Sequence, residues 1–69
     1  MKLSARNQIK GKIKDITIGS VNAEVILEVA PGVVLTVMIS KASVERLSLA
    51  KGMDACGVIK ASDVMIAVD

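Results

Sequence analysis

The chain has 69 residues, 52% of them hydrophobic but none aromatic, and nine Lys/Arg against seven Asp/Glu give a net charge of +2. There is no histidine and a single cysteine, Cys56, which removes the commonest general base and metal ligand, any zinc cluster within one chain and any internal disulfide. The charge excess is too small to mark a nucleic-acid binder, and no run of roughly 18 apolar residues marks a membrane span.

Residues 3–14 read as the first strand, with Arg6, Gln8, Lys10, Lys12 and Lys14 on one face and Asn7, Ile9, Gly11 and Ile13 on the other. The parity then slips, because Ile16 and Ile18 fall on the formerly polar face, and a bulge near Lys14-Asp15 accounts for it. Gly19-Ser20 is the expected two-residue hairpin turn, glycine first. The second strand covers 21–30, where Val21, Ala23, Val25, Leu27 and Val29 alternate with Asn22, Glu24, Ile26 and Glu28. Pro31-Gly32 has the residues that a type II turn wants at its centre. Val33–Ile39 makes a third strand, apolar on both faces. Ser40 is placed to cap a short helix from Lys41 to Leu47, ended by Lys51-Gly52. Residues 53–59 and 64–68 are the fourth and fifth strands; the fifth, Val64-Met65-Ile66-Ala67-Val68, is apolar on both faces and so belongs in a core or an interface.

The expected fold is therefore all-β with one short helix. The order β-β-β-α-β-β, with the helix between strands three and four, is that of a five-stranded OB-type Greek-key barrel. Residues 1–69 form a single domain. A core this small does not need so many aliphatic residues, which predicts a homo-oligomer. Residues 1–20 do not read as a signal peptide, and a cytoplasmic location is expected. The seven carboxylates are scattered without the spacing of a calcium loop, so no free-cation metal site is expected.

Ser4 with Arg6, and Lys60 with Ser62, each place a cation and a hydroxyl two residues apart, which on an extended strand is one face. Ser40 and Ser43 add hydroxyls at the start of the helix, where backbone N–H groups are unpaired. Together these six residues offer only donors and no carboxylate, chemistry suited to a fully ionised tetrahedral oxyanion. Serine can also accept a hydrogen bond, so the filter against a protonated anion is partial.

Four segments resemble one family. S-A-R-N-Q at Ser4–Gln8, G-S-V-N-A-E-V at Gly19–Val25, I-S-K-A-S-V-E-R-L-S-L at Ile39–Leu49 and I-K-A-S-D-V at Ile59–Val64 are similar to the molbindins, the Mop or TOBE-type molybdate-binding domains. The resemblance covers essentially the whole chain. It implies an OB-type fold, assembly into a hexamer built as a trimer of dimers, and molybdate or tungstate as ligand between subunits. By motif, Ser4, Ala5 and Arg6 of one chain would face Ser40, Ser43, Lys60, Ala61 and Ser62 of a neighbour, with Ala5 and Ala61 acting through backbone groups. A second class of oxyanion site is also implied, for which the turn Gly19, Ser20, Val21 and Asn22 is the candidate.

The leading expectation is thus a non-enzymatic protein that stores or buffers molybdenum as the oxyanion, with no catalytic cofactor and no nucleic-acid or membrane partner. No DNA-binding or ATPase segment accompanies the domain, which favours storage over sensing. The alternative is an OB-fold nucleic-acid module tracking a backbone with Lys10, Lys12 and Lys14; the lack of aromatic stacking residues speaks against it. An enzyme using Ser40 and Lys60 as a nucleophile pair is the third reading, with nothing in the sequence to mark either as activated.

Overall fold

The core is set by the second strand. A computed structural model describes all of residues 1–69, and in it the apolar side chains of β2 (Asn22–Ala30) point inward: Ala23, Val25 and Leu27 are buried, together with Ile13 and Val44. Val29 is half-buried, while Val21, expected on the same face, lies in the turn ahead of the strand and is 71% exposed. β1 (Asn7–Ile18) and β3 (Val33–Ser40) flank β2, and β4 (Asp54–Ile59) lies beyond β1, giving an antiparallel sheet in the order β3-β2-β1-β4. The short helix α1 (Lys41–Arg46) follows β3 and contributes Val44 to the core.

Several expectations hold. The pairing of β1 with β2 steps from Ile13↔Leu27 to Asp15↔Ile26, so Lys14 is the extra residue of a bulge. That bulge restores Ile16 to the core side, where it packs half-buried. Gly32 adopts φ 74° in the Pro31-Gly32 turn between Ala30 and Val33, the left-handed conformation that a type II turn requires. Ser40 caps α1 from an extended backbone (φ −71°, ψ 150°), its Oγ accepting from Ser43 N–H at 3.0 Å.

Other elements end where their partners end. β1 begins at Asn7 rather than residue 3, because its ladder with β4 starts at Asn7↔Ile59. The β1–β2 turn is centred one residue later than expected, on Ser20-Val21, closed by Gly19 N–H to Asn22 O at 2.8 Å. Gly19 is needed there for closeness rather than for a positive φ, since a Cβ would sit 2.9 Å from Asn22 O. β4 starts at Asp54 rather than Met53. Lys51-Gly52 does not end the helix; it forms a separate turn, with Gly52 at φ 88° and its N–H on Ile13 O at 2.7 Å. The helix stops earlier, at Leu47, with Ser48 N–H on Glu45 O and Leu49 N–H on Val44 O, the paired bonds of a Schellman cap.

The fifth strand does not form within the chain. Residues 64–68 follow a short 3₁₀ turn at Ala61–Asp63 and make no sheet pairing, and Met65, Ile66 and Val68 are about nine-tenths exposed. The five-stranded closed barrel is accordingly corrected to an open four-stranded sheet, with β3 and β4 as its free edges. A strand needs a hydrogen-bonded neighbour, and residues 64–68 meet none within the chain. Between those edges lies an apolar groove of about 730 Å³, lined by Leu35, Val37, Ile39, Cys56, Gly57 and Val58 among others. Cys56 is half-buried on this groove.

Ser48 holds the C-terminal cap at φ 53°, a conformation that costs a residue with a Cβ about 1 kcal/mol. Ser48→Gly should therefore raise the unfolding free energy by about 0.5–1 kcal/mol, read as a higher urea midpoint; an unmoved or lower midpoint would show that the cap carries no strain.

Candidate oxyanion-binding site

The sheet brings the two ends of the chain together. Asn7↔Ile59 is the outermost pair of the β1–β4 ladder, so Ser4–Arg6 and Lys60–Ser62 leave the sheet side by side. Neither segment is extended strand. Ser4 and Arg6 lie in bends ahead of β1, and Ala61 and Ser62 lie in the 3₁₀ turn, closed by Asp63 N–H on Lys60 O at 2.9 Å. The expectation that each cation and hydroxyl share a strand face is corrected, since the alternation it rests on needs a ladder that stops at Asn7 and Ile59. Ala5 is half-buried; Ser4, Arg6, Lys60, Ala61 and Ser62 are exposed.

The helix start forms a second group. Ser40 pairs with Asn22 across β2 and β3, next to the far end of β1, so the length of β1 separates it along the sheet from Arg6. No hydrogen bond or ion pair joins the two groups within the chain. Ser40 Oγ accepts from Ser43 N–H and donates to Ser43 Oγ at 2.8 Å. One hydroxyl proton is thus consumed inside the pair, and the proton of Ser43 remains for an outside acceptor. Of the first-turn amides, Lys41 N–H is also engaged, donating to Val21 O at 2.7 Å. Fewer donors are free here than the sequence promised.

The Gly19–Asn22 turn borders an open hollow shared with Thr17, Glu24 and Met38. Gly19 N–H is consumed by the turn itself, and Glu24 brings a carboxylate to the same hollow. Sequence reasoning missed two contacts that shape these regions: Val21 O on the helix start, and Gln8 Nε2 donating to Ala5 O at 3.2 Å. The first depends on how separate segments fold back; the second is local, three residues apart, but depends on the bend ahead of β1, which no residue type there marks.

The lysine stripe is partly neutralised. Lys12 Nζ lies 2.7 Å from Asp54 Oδ1, and Lys14 Nζ lies 3.7 Å from Glu28 Oε2. This spends two of the three charges a nucleic-acid backbone would need. No group of His, Cys, Asp and Glu residues is assembled for a metal cation.

The fold and the sequence find their match among known proteins. The model of the TOBE domain matches residues 3–66. The chain belongs to the TOBE domain family. A probable molybdenum-pterin-binding protein of Haemophilus influenzae is 48% identical to this TOBE domain over 69 residues, covering all of both chains. Among solved structures, MopII from Clostridium pasteurianum superposes with a TM-score of 0.90 at 46% identity, over 97% of this chain and all of that one. The cytoplasmic molybdate-binding protein ModG, solved with molybdate bound, superposes with a TM-score of 0.88 at 46% identity, over 94% of this chain and 46% of its own. These likenesses identify this TOBE domain as Mop-type and point to binding rather than catalysis.

The Lys12 hydrogen bond, and then its charge, hold the Asp54 carboxyl below its usual 3.8. A lowered carboxylate pKa adds stability above the unfolded value and loses it as pH falls through the folded one. In an NMR titration, Asp54 should ionise below 3.8 and rise in Lys12→Ala; because the pair is largely exposed, the melting temperature at neutral pH should scarcely move.

Proposed function

We propose that this TOBE domain binds molybdate, and tungstate of the same shape and charge, at sites completed between copies of the chain, and so stores or buffers the oxyanion in the cytoplasm. The observation that carries this reading is the full-length likeness to molybdenum-binding proteins at 48% identity, joined to a donor set free of carboxylates. Arg6 and Lys60 supply charge. Ser4, Ser43 and Ser62 supply hydroxyl donors, Ser40 orients Ser43, and Ala5 and Ala61 act through backbone groups. Their division into two groups on one chain favours a site in which the Ser4–Arg6 and Lys60–Ser62 segments meet helix-start residues of a neighbour. The Gly19–Asn22 turn is the proposed place of a second site class, its open hollow facing another copy. Ions are held without covalent change, and the domain is not an enzyme.

Assembly follows from the unfinished core. Only five of 69 residues are buried, too few for a monomer of this size to be robust. Val64–Val68 is apolar on both faces and exposed, and the groove between β3 and β4 is apolar and open along two free edges. In the proposed oligomer, a hexamer arranged as a trimer of dimers, residues 64–68 of one copy enter the groove of another as the fifth strand. That insertion closes the OB-type barrel and removes both edges from solvent.

Isothermal titration should show heat with molybdate and tungstate, weak or no heat with phosphate, and an affinity about tenfold or more weaker in Arg6→Ala. Heat from phosphate alone, or wild-type affinity in Arg6→Ala, contradicts the reading. Deleting residues 64–69 should convert the oligomer to monomer in light scattering and make Cys56 react faster with a thiol reagent. Equal Cys56 reactivity in both forms would place the tail elsewhere.

A further inference from the structure

Gln8 closes the S-A-R-N-Q run but lies outside the residues proposed to touch the anion. Its backbone sits in the β1–β4 ladder opposite Val58. Its side chain is exposed and turns back along the chain, where Nε2 donates to the carbonyl oxygen of Ala5 at 3.2 Å. Since a glutamine side chain gains little by such a contact in open solvent, its consequence for the segment ahead of β1 matters more than its stability.

That consequence follows from peptide geometry. No peptide bond in the chain is cis, so the Ala5 C=O and the Arg6 N–H, which share one planar unit, point in opposite directions. Pinning the carbonyl toward the Gln8 side chain turns the Arg6 N–H to the opposite side, and that N–H has no acceptor within the chain. A half-turn of the same unit would reverse the arrangement and present a carbonyl oxygen, whose partial negative charge repels a dianion. Gln8 therefore selects which face of this peptide is presented.

We propose that Gln8 is a positioning residue that aims the Arg6 backbone N–H at the bound oxyanion, so that Arg6 binds through main chain and guanidinium together. The inference rests on the molybdate site proposed above and extends it to a donor and an orienting residue that the motif alone does not assign. The ladder supplies the rigid reference: the Gln8 backbone is fixed against Val58, and one hydrogen bond transfers that rigidity to the peptide two residues earlier.

The test is molybdate titration of the full-length protein and of Gln8→Met, which keeps the length of the side chain without its donor, with Gln8→Asn as a polar variant too short to reach. Both should bind about tenfold more weakly, with ligand-free melting within a degree or two of the parent. In ¹⁵N–¹H spectra the Arg6 amide should shift strongly on saturation in the parent and lose most of that response in both variants, while the Ser43 amide still responds. Parent-like affinity in Gln8→Met overturns the proposal, as does weakened affinity with the Arg6 response intact, which would mean that Gln8 touches the anion itself. If the unmodified protein takes up no molybdate, it is the proposed function that fails, an outcome visible before any variant is made.

Discussion

At Ile13 the long strand β1 changes partners. Its side chain is the most deeply buried large one in the domain, at 2% exposure, and it faces Leu27 across the β1–β2 ladder. Its backbone N–H donates to Met53 O at 2.9 Å, and its carbonyl accepts from Gly52 N–H at 2.7 Å. One residue thus holds β2 on one side and the approach to β4 on the other, immediately before the Lys14 bulge. The close approach continues at Gly11, where a Cβ would lie 2.4 Å from Glu28 O. This crowded crossing fixes the angle between the two halves of β1 and hence where the chain ends and the helix start come to lie.

The parts of this arrangement that were legible in the sequence are those decided by neighbours a few residues away. The alternation of Ala23, Val25 and Leu27, the slip between Ile13 and Ile16, the glycine of Pro31-Gly32 and the cap at Ser40 each carry their physics locally. Ser4–Arg6 and Lys60–Ser62 are not extended strand, and Val64–Val68 finds no strand partner in its own chain, for one shared reason. An extended reading assumes a hydrogen-bonded neighbour, and no residue pattern states where a ladder runs out. The helix end was hidden because Ser48 takes a conformation usually marked by glycine. The chemistry of the site was more legible than its shape: which residues donate can be read from side-chain type, whereas the internal use of the Ser40 proton and the orientation of the Ala5–Arg6 peptide depend on folded geometry.

The domain combines polar groups with few partners and apolar surface with little cover. Arg6 and Lys60 form no ion pair within the chain, while Lys12 and Lys14, away from the site, do. The two paired lysines lie on β1, whereas the two cations of the proposed site stay unpaired. The apolar tail and groove show the same separation. The proposed assembly and anion binding would both draw on surfaces that the isolated fold leaves unsatisfied, and each would stabilise the other by mass action.

The two hairpin turns of the sheet differ in what they carry. The Ser20-Val21 turn is tied to the helix start through Val21 O and closed tightly at Gly19, so added length there would displace Ser40. The Pro31-Gly32 turn is tied to nothing: a Cβ built on Gly32 meets no atom within 4 Å. Chain can be lengthened at such an open tip without disturbing the packed elements. This makes residues 31–32 the natural graft point for a reporter peptide or surface anchor, turning the domain into an immobilised oxyanion sorbent whose proposed binding residues stay as they are.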